Sequence, residues 1–541
     1  MKPGIVAALV VLALGLSSCM AMRHRGTSGE EDASQAVIRP VAPAWCSVTK
    51  PTRRTVDQSF GKLDEIVKRA MERTGVPGIS VAVVFDDQVL YQNGYGVRST
   101  ETKERVQAET VFQIASLSKP VSATIMAGLV GGGKWNTYGK GTFAWEDPIV
   151  KYAPNVVLSD PWVTDHVTFK DLFAHRSGLP GGSAGNDLET IGYDRDTILQ
   201  RLRYVPIKGF RDVYSYSNFG MTLAGDVAAK AAGSNWEDVS EQVLFDPVGM
   251  ASTSMRHQDY LNQANRAELH VKIDGQWKPA FKRNPDAQAP AGGGSSNVVD
   301  LARWVRLSLK GGMLGDQPVI DKEALNATHT PVIMDRPPTP AIADPAAFYA
   351  LGWDISMTPY GEVQWGHSGA FSVGASTVAK LIPSEGLGIV VLTNGVPIGV
   401  PEAIAESYFN HLHSIPVTDD EVLASWQQRF AGVYGERPDV SKPANPTAAR
   451  PDTAYVGTYT NPYVGDIQIV AQNGTLGIVE GPNDMRFTLE HLDGDTFIYK
   501  HDPEIPDYPA IVKFTVGPNG VATALTNSAF NATGQGALTR V

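Results

Sequence analysis

Cysteine is almost missing from this chain, with only Cys19 and Cys46 among 541 residues. Two cysteines cannot build a disulfide framework. Basic clusters are missing as well. The 46 lysines and arginines are outnumbered by 57 aspartates and glutamates, and the net charge is −11. That balance, with no basic stripe, argues against nucleic acid as a partner. A long uncharged run stands at the N-terminus, where Gly4 to Ser18 carry no charge behind Lys2. The run is short for a membrane span and reads as a targeting segment. What remains is ordinary globular material, 43% hydrophobic and 19% charged. Its length suggests more than one domain.

Chemistry enters at Phe112-Gln113-Ile114-Ala115-Ser116-Leu117-Ser118-Lys119-Pro120, which opens a long apolar stretch. Three residues are nearly one helical turn, so Ser116 and Lys119 share a face. A lysine held neutral by burial can take a proton from a serine hydroxyl. Alone, the pair reads equally as a helix N-cap serine with a solvated lysine. Two segments further on change the balance. Tyr214-Ser215-Tyr216-Ser217-Asn218-Phe219-Gly220 offers a phenol as general base and an amide that can hold a carbonyl. Trp365-Gly366-His367-Ser368-Gly369-Ala370 reads as an edge strand. There His367 faces a cleft and Gly369 admits a substrate backbone.

In this order the three segments resemble the Ser-x-x-Lys, Ser/Tyr-x-Asn and Lys/His-x-Gly set of serine β-lactamases and penicillin-binding proteins. Val167 to Pro180, Phe245-Asp246-Pro247-Val248-Gly249-Met250 and Gly292-Gly293-Gly294-Ser295-Ser296 also resemble family landmarks. The Tyr-x-Asn and His-x-Gly forms are most similar to the class C β-lactamase branch. That branch also holds D-aminopeptidases, D-Ala-D-Ala carboxypeptidases and β-lactamase-like esterases. The likeness runs from residue 55 to residue 415.

The resemblance implies an α/β fold: an antiparallel sheet with flanking helices and a helical subdomain. It also implies acyl-enzyme chemistry without metal or cofactor. Ser116 attacks an amide or ester carbonyl, and Lys119 and Tyr216 share the base role and later protonate the leaving group. The N–H groups of Ser116 and Ala370 form the oxyanion hole. Asn218 positions substrate and hydrogen-bonds Lys119, and His367, Ser368, Gly369 and Ala370 line the substrate side. Typical β-lactamases carry lysine where His367 stands. Histidine is mostly neutral at pH 7, which weakens anion recognition and favours small esters or D-amino-acid peptides over penicillins. Three readings follow: a lipid-anchored peptidase or esterase, a β-lactamase or D-Ala-D-Ala carboxypeptidase, or a catalytically silent binding or scaffold lipoprotein.

The end of the targeting segment, Leu16-Ser17-Ser18-Cys19, resembles the lipobox of bacterial lipoproteins, in which the cysteine is acylated. The alternative is a plain secretory signal with a chance cysteine. Met20, not aspartate, follows, a pattern similar to outer-membrane sorting in diderm bacteria. The expected location is therefore the cell envelope, with the protein bound to the membrane through lipid on Cys19. With Cys19 acylated, no internal disulfide can form.

The expected organisation is a signal peptide over 1–18, a flexible tether over 19–54, a hydrolase domain over 55–431, a proline-bearing linker over 432–453 and a β domain over 454–541. Phe60, Leu63, Ile66, Val67, Ala70 and Met71 predict a helix ended by Gly75 and Pro77. Ile79 to Phe85 and Val89 to Tyr91 predict a hairpin about Asp86-Asp87. The segment 131–147, long and aromatic, departs from the family and could border the cleft or lie on the surface. In the last part, Asn473-Gly474, Asp493-Gly494 and Pro518-Asn519-Gly520 mark three hairpins. The second pairs Phe487-Thr488-Leu489 with Thr496 to Tyr499. This is a small all-β barrel or sandwich, resembling the lipocalin-like domain appended to many of these hydrolases. It serves either for packing and homo-oligomer formation or for ligand binding.

Three further signals are set aside. Gly181-Gly182-Ser183-Ala184-Gly185 fits a nucleophile elbow but has loop on both sides. Gly128 to Lys134 has phosphate-loop spacing, yet Trp135 follows and the run ends a helix. His411 and His413 do not share a helical face, so no metal is assigned.

Overall fold

The computed structural model describes residues 50–132, 143–181, 183–338, 346–431, 440–472, 474–502 and 508–541. Cys19, Cys46, the targeting segment, most of the tether, Lys134 and Trp135 lie outside the described residues. Among the described residues no helix is long and apolar enough to cross a membrane.

The first periodic stretch forms helix α1 (Arg53–Thr74). It is opened by a Thr52 capping box and closed by Gly75 at φ 71°. Strands β1 (Gly78–Phe85) and β2 (Gln88–Gly96) follow as a hairpin. Its turn residues Asp86 and Asp87 both take positive φ, which matches the twist of the strands. The sheet is completed by β3 (Ile333–Arg336), β4 (Ala347–Tyr349), β5 (Asp354–Met357), β6 (Val363–Phe371), β7 (Ala375–Ile382) and β8 (Leu387–Thr393). The order is β2-β1-β8-β7-β6-β5-β4-β3, antiparallel throughout.

Every residue of β1, β7 and β8 is buried, because helices cover both faces. On one face lie α1, α8 (Val400–Leu412) and α9 (Asp419–Ala431), around a core that includes Leu63, Val81, Ile389 and Tyr408. The other face meets α2 (Ser118–Val130), α7 (Val298–Leu309) and a helical subdomain. In that subdomain α3 (Phe169–Phe173), α4 (Asn186–Thr190), α5 (Asn218–Ala231) and α6 (Ala289–Gly292) matter for the site. The described end of the divergent 131–147 segment packs inward. Trp145 is 4% exposed, stacks edge-on to Phe173 and donates to the Ala324 carbonyl.

The β6 strand corrects one expectation. It is not at the edge of the sheet, since β5, β4 and β3 lie beyond it. Yet β5 pairs only with Val363 to Gly366, whereas β7 pairs with β6 through to Phe371. From His367 onward no described strand covers that side, so the edge is local.

The C-terminal part is a nine-stranded antiparallel sheet, nearly closed into a barrel. Its strands are β9 (Gly457–Asn461), β10 (Gly465–Gln472), β11 (Thr475–Glu480), β12 (Met485–Thr488), β13 (Glu490–Asp493), β14 (Thr496–Tyr499), β15 (Ala510–Val516), β16 (Ala522–Asn527) and β17 (Ala537–Arg540). The order is β12-β11-β10-β9-β17-β16-β15-β14-β13. The Asp493-Gly494 hairpin joins β13 to β14. Phe487 and Thr488 belong to β12 and pair with β11 instead. The chain changes partners after Leu489, whose N–H still donates to the Leu476 carbonyl of β11 at 2.9 Å and whose side chain lies in the core at 4% exposure.

Candidate active site

The site is built on the turn that leads into α2. Phe112 and Gln113 pair with Ser296 and Ser295, and the Ile114 N–H donates to the Gly294 carbonyl at 2.9 Å. Ser118 Oγ accepts from the Gly294 N–H at 2.9 Å, and a Cβ on Gly294 would lie 2.7 Å from that oxygen. The glycine-serine landmark is thus a clamp on the turn that carries Ser116. Ala115 takes φ 48° just before Ser116, a left-handed conformation that costs an alanine about 1–2 kcal/mol. Ser116 itself is half-buried.

Lys119 is fully buried and points back at Ser116. Its Nζ lies 3.1 Å from Ser116 Oγ, 2.7 Å from Asn218 Oδ1 and 2.9 Å from the Ala291 carbonyl. It also sits 4.5 Å from the centre of the Tyr216 ring. Burial drives its proton affinity well below that of an ordinary lysine, and the nearby Asp354 charge opposes this more weakly. A neutral amine has two N–H groups and one lone pair. The Asn218 and Ala291 oxygens can only accept, so the two N–H groups go to them and the lone pair is left for the Ser116 proton. Tyr216 also hydrogen-bonds Ser116. Burial raises its phenol well above the usual value, with that bond pulling the other way.

Asn218 is placed by the start of α5, where Ser217 Oγ accepts from the Gly220 N–H at 3.0 Å. Tyr216 is held from behind by His175, a residue the motif reading did not single out. The Ser215 N–H donates to the His175 carbonyl at 2.8 Å, and the Ser217 N–H donates to His175 Nδ1 at 3.1 Å. The two rings lie 4.5 Å apart between centroids. His175 is fully buried and takes φ 54°. Burial holds it far below the usual imidazole value, so it is neutral. Its sequence signal was present: it lies within the Val167 to Pro180 landmark, next to Arg176.

The third motif is divided by the strand's alternation. His367 is 5% exposed and faces the Tyr216 side, where Tyr349 donates to its Nε2 at 3.0 Å; its Nδ1 lies 2.6 Å from the Ser368 carbonyl. Burial lowers it to about 3. It is neutral, as its type suggested, but both nitrogens are engaged by protein. It forms the wall of the cleft and does not reach into it. Gly369 also differs from expectation. A Cβ there would meet the Ile114 carbonyl at 2.1 Å and the Leu117 nitrogen at 2.8 Å. The glycine admits the turn that carries Ser116, not a substrate. Ser368 projects to the far face beside the buried Glu402, so its side chain does not line the substrate side. Burial lifts that carboxyl to about 7, and the Ser368 hydroxyl lowers it only in part. Ala370 is half-buried on the uncovered stretch of β6.

The set-aside serine is elsewhere. Ser183 precedes α4, its carbonyl accepting from the Asn186 N–H. No described hydrogen bond ties its hydroxyl to a base.

With this geometry in place, comparison with known proteins is direct. A family model described as "Beta-lactamase" matches residues 63–408. The chain belongs to the β-lactamase family. Its relatives include the unguisins hydrolase ungD′ of Aspergillus campestris, 27% identical over 77% of this chain and 77% of that one. A β-lactamase of Providencia stuartii is 25% identical over 64% of this chain and 89% of its own. Among solved structures, an octameric penicillin-binding protein homologue from Pyrococcus abyssi superposes with TM-score 0.56 at 20% identity, covering 88% of this chain and 99% of that one. A class C β-lactamase from Rhodobacter sphaeroides gives 0.52 at 20%, covering 65% and 99%. Residues 441–536 match a domain described only as of unknown function, DUF3471. Membership with these relatives implies a serine hydrolase.

Proposed function

We propose that this β-lactamase-family chain hydrolyses amides or esters through an acyl-enzyme on Ser116. The carrying observation is the setting of Lys119: buried, with its proton affinity lowered by that burial, and flanked by two acceptor oxygens, so that in the neutral form its lone pair meets the Ser116 hydroxyl. Lys119 takes the Ser116 proton as Oγ bonds to the carbonyl carbon. Tyr216, whose raised phenol keeps its proton, passes a proton to the leaving group and regains one from Lys119. Water then attacks the acyl-enzyme by the same route in reverse. The Ser116 and Ala370 N–H groups receive the oxyanion.

On the substrate side the third motif supplies no permanent cation, because His367 is neutral and engaged. That favours small esters or peptides, D-amino-acid peptides among them, over carboxylate-bearing lactams. β-Lactamase or D-Ala-D-Ala carboxypeptidase activity is the second reading, supported by the names of the relatives. The intact Ser116, Lys119, Tyr216 and Asn218 set speaks against a silent scaffold.

The test is labelling with a fluorophosphonate, then turnover of p-nitrophenyl esters, D-amino-acid amides and nitrocefin. Labelling at Ser116 is expected. Ser116→Ala is expected to remove it and to lower kcat by on the order of 10³-fold or more. Labelling that survives Ser116→Ala overturns the reading, and nitrocefin as the best substrate moves it to the second one.

We also propose that Cys19 carries lipid and holds the enzyme at the cell envelope. A single acyl chain binds weakly and two or more bind stably. Mass spectrometry of the mature N-terminus is the check: an unmodified terminus downstream of Cys19 would mean ordinary secretion. An octameric relative makes self-association a further expectation, measured as solution mass.

A further inference from the structure

We infer that the C-terminal barrel is a positioning module for the acyl-transfer site, acting from Tyr463 through α4 and Gln288 on the carbonyl that holds Lys119. The inference rests on the acyl-enzyme reading above.

The barrel does not merely trail from its linker. Tyr463, fully buried, donates its Oη to Asp187 Oδ1 at 2.6 Å and accepts from the Gly185 N–H at 3.0 Å. Thr533 Oγ1 lies 3.3 Å from Asp187 Oδ2. Arg201 donates to the Tyr463 and Val464 carbonyls at 2.8 and 2.9 Å, and Tyr193 Oη donates to that of Val464 at 2.9 Å. These bonds fix the first turn of α4 and the chain after it to the barrel.

Asp187 and Glu189 are two residues apart on α4, so they leave it on opposite sides. Asp187 meets the barrel. Glu189 points toward the catalytic domain, where its side chain is 5% exposed. Its Oε2 accepts from Arg283 Nη2 at 2.7 Å and from Gln288 Nε2. Gln288 is the residue before α6, and α6 presents the Ala291 carbonyl to Lys119 Nζ at 2.9 Å. Arg283 lies over the Phe371 ring, at the end of the strand that carries Ala370. One short helix thus joins a buried barrel tyrosine to the acceptor of the catalytic lysine and to the strand carrying the oxyanion donor. A small displacement there is felt at the reacting atoms, where tolerance is low.

Tyr463→Phe keeps the ring and removes the hydroxyl. Expected is a fall in kcat and in the rate of Ser116 labelling of on the order of tenfold, with KM within about twofold, because reaction geometry and not binding is lost. Glu189→Ala is expected to do the same. Glu189→Gln, whose amide oxygen can still accept from Gln288, is expected to recover most of the rate. Variants that melt earlier yet keep wild-type kcat and labelling rate would make the barrel contact structural only and overturn the inference. Should Tyr463→Phe fail to fold, the Glu189 pair gives the same decision. The control is Ser116→Ala: labelling that survives it sinks the acyl-enzyme reading itself. Its loss, with Tyr463→Phe and Glu189→Ala at full rate, sinks only the positioning role.

Discussion

Lys119, at the start of α2, and Asp171, in α3, are both fully buried, yet their surroundings drive them oppositely. Around Lys119 the hydrogen-bonding groups are neutral oxygens, and burial wins: the proton affinity of the amine falls well below that of an ordinary lysine. Around Asp171 burial also acts first and pushes the carboxyl up. Hydrogen bonds from Arg211 and Thr168 and the Arg176 charge outweigh it, and the group ends below the ordinary carboxylate value. Arg176 Nε lies 2.7 Å from Oδ1 and Arg211 Nη2 lies 2.8 Å from Oδ2. A buried ionisable group becomes a reagent when its partners are neutral and a strut when they are charged.

The sharpest test of that contrast is Lys119→Met, which keeps the volume and removes the amine. Activity is expected to fall by about 10²–10⁴-fold, and Tyr216→Phe by a similar factor, the usual range for loss of a general base or acid. Thermal stability should hold or rise in Lys119→Met, because a desolvated amine is removed. Unchanged turnover in Lys119→Met, with chemistry rate-limiting, would end its role as base.

Asp171→Asn should show the opposite pattern. Removing one partner of a buried charge cluster costs about 3 kcal/mol of stability. Activity per folded molecule should fall less than in Lys119→Met, since Asp171 touches no reacting atom. The pH responses separate the two as well. The lowered Asp171 pKa contributes stability that is present above its unfolded value, near 4, and is lost as pH falls through the folded one. For Lys119 the unfolded state binds the extra proton, so stability rises with pH between the lowered folded value and the unfolded value near 10.4. Turnover should rise through the same lowered Lys119 value, because the neutral amine is the active form. Melting curves across pH for the two variants check this: each should lose its own limb of the profile and keep the other's.

His367→Lys probes whether a buried wall position can be made into an anion anchor. A lysine there would displace a ring bonded to Tyr349 and sit beside Lys119, away from water. Stability is expected to fall by about 2 kcal/mol for the unsatisfied polar group. The ratio of kcat/KM for matched esters with and without a carboxylate should stay within about twofold. A clear gain for the carboxylate ester would place residue 367 against the substrate after all.

Much of this was legible in the chain, and what was hidden follows a rule. The Ser116–Lys119 pair follows from local helical geometry, and α1 and the β1–β2 hairpin from periodicity and turn residues. The roles within the third motif were not legible from it. Strand alternation says that His367 and Gly369 share a face, but not which neighbour occupies it. Only the assembled sheet places Ile114 against Gly369 and Tyr349 against His367. His175 was hidden for the same reason: its value lies in two bonds to a loop 40 residues away. The barrel's second hairpin differs from the expected one because Phe487 to Leu489 bond to β11, a choice of neighbour that an apolar run does not reveal.

The smallest effect belongs to the serine that imitates a nucleophile. In Gly181 to Gly185 the constraint lies on the last glycine, not on Ser183. Gly185 takes φ 84°, and a Cβ on it would lie 2.5 Å from the Phe219 ring and 2.8 Å from Ile198. Its N–H is also bound by Tyr463. Ser183 contributes a carbonyl to the start of α4, which any residue supplies. Ser183→Ala should therefore change stability by no more than about 0.5 kcal/mol and leave labelling and turnover intact. Gly185→Ala should destabilise strongly, because neither the ring beside it nor the left-handed backbone accepts a side chain. Paired melting and labelling assays decide it. If Ser183→Ala abolishes labelling while Ser116→Ala does not, the nucleophile has been assigned to the wrong loop.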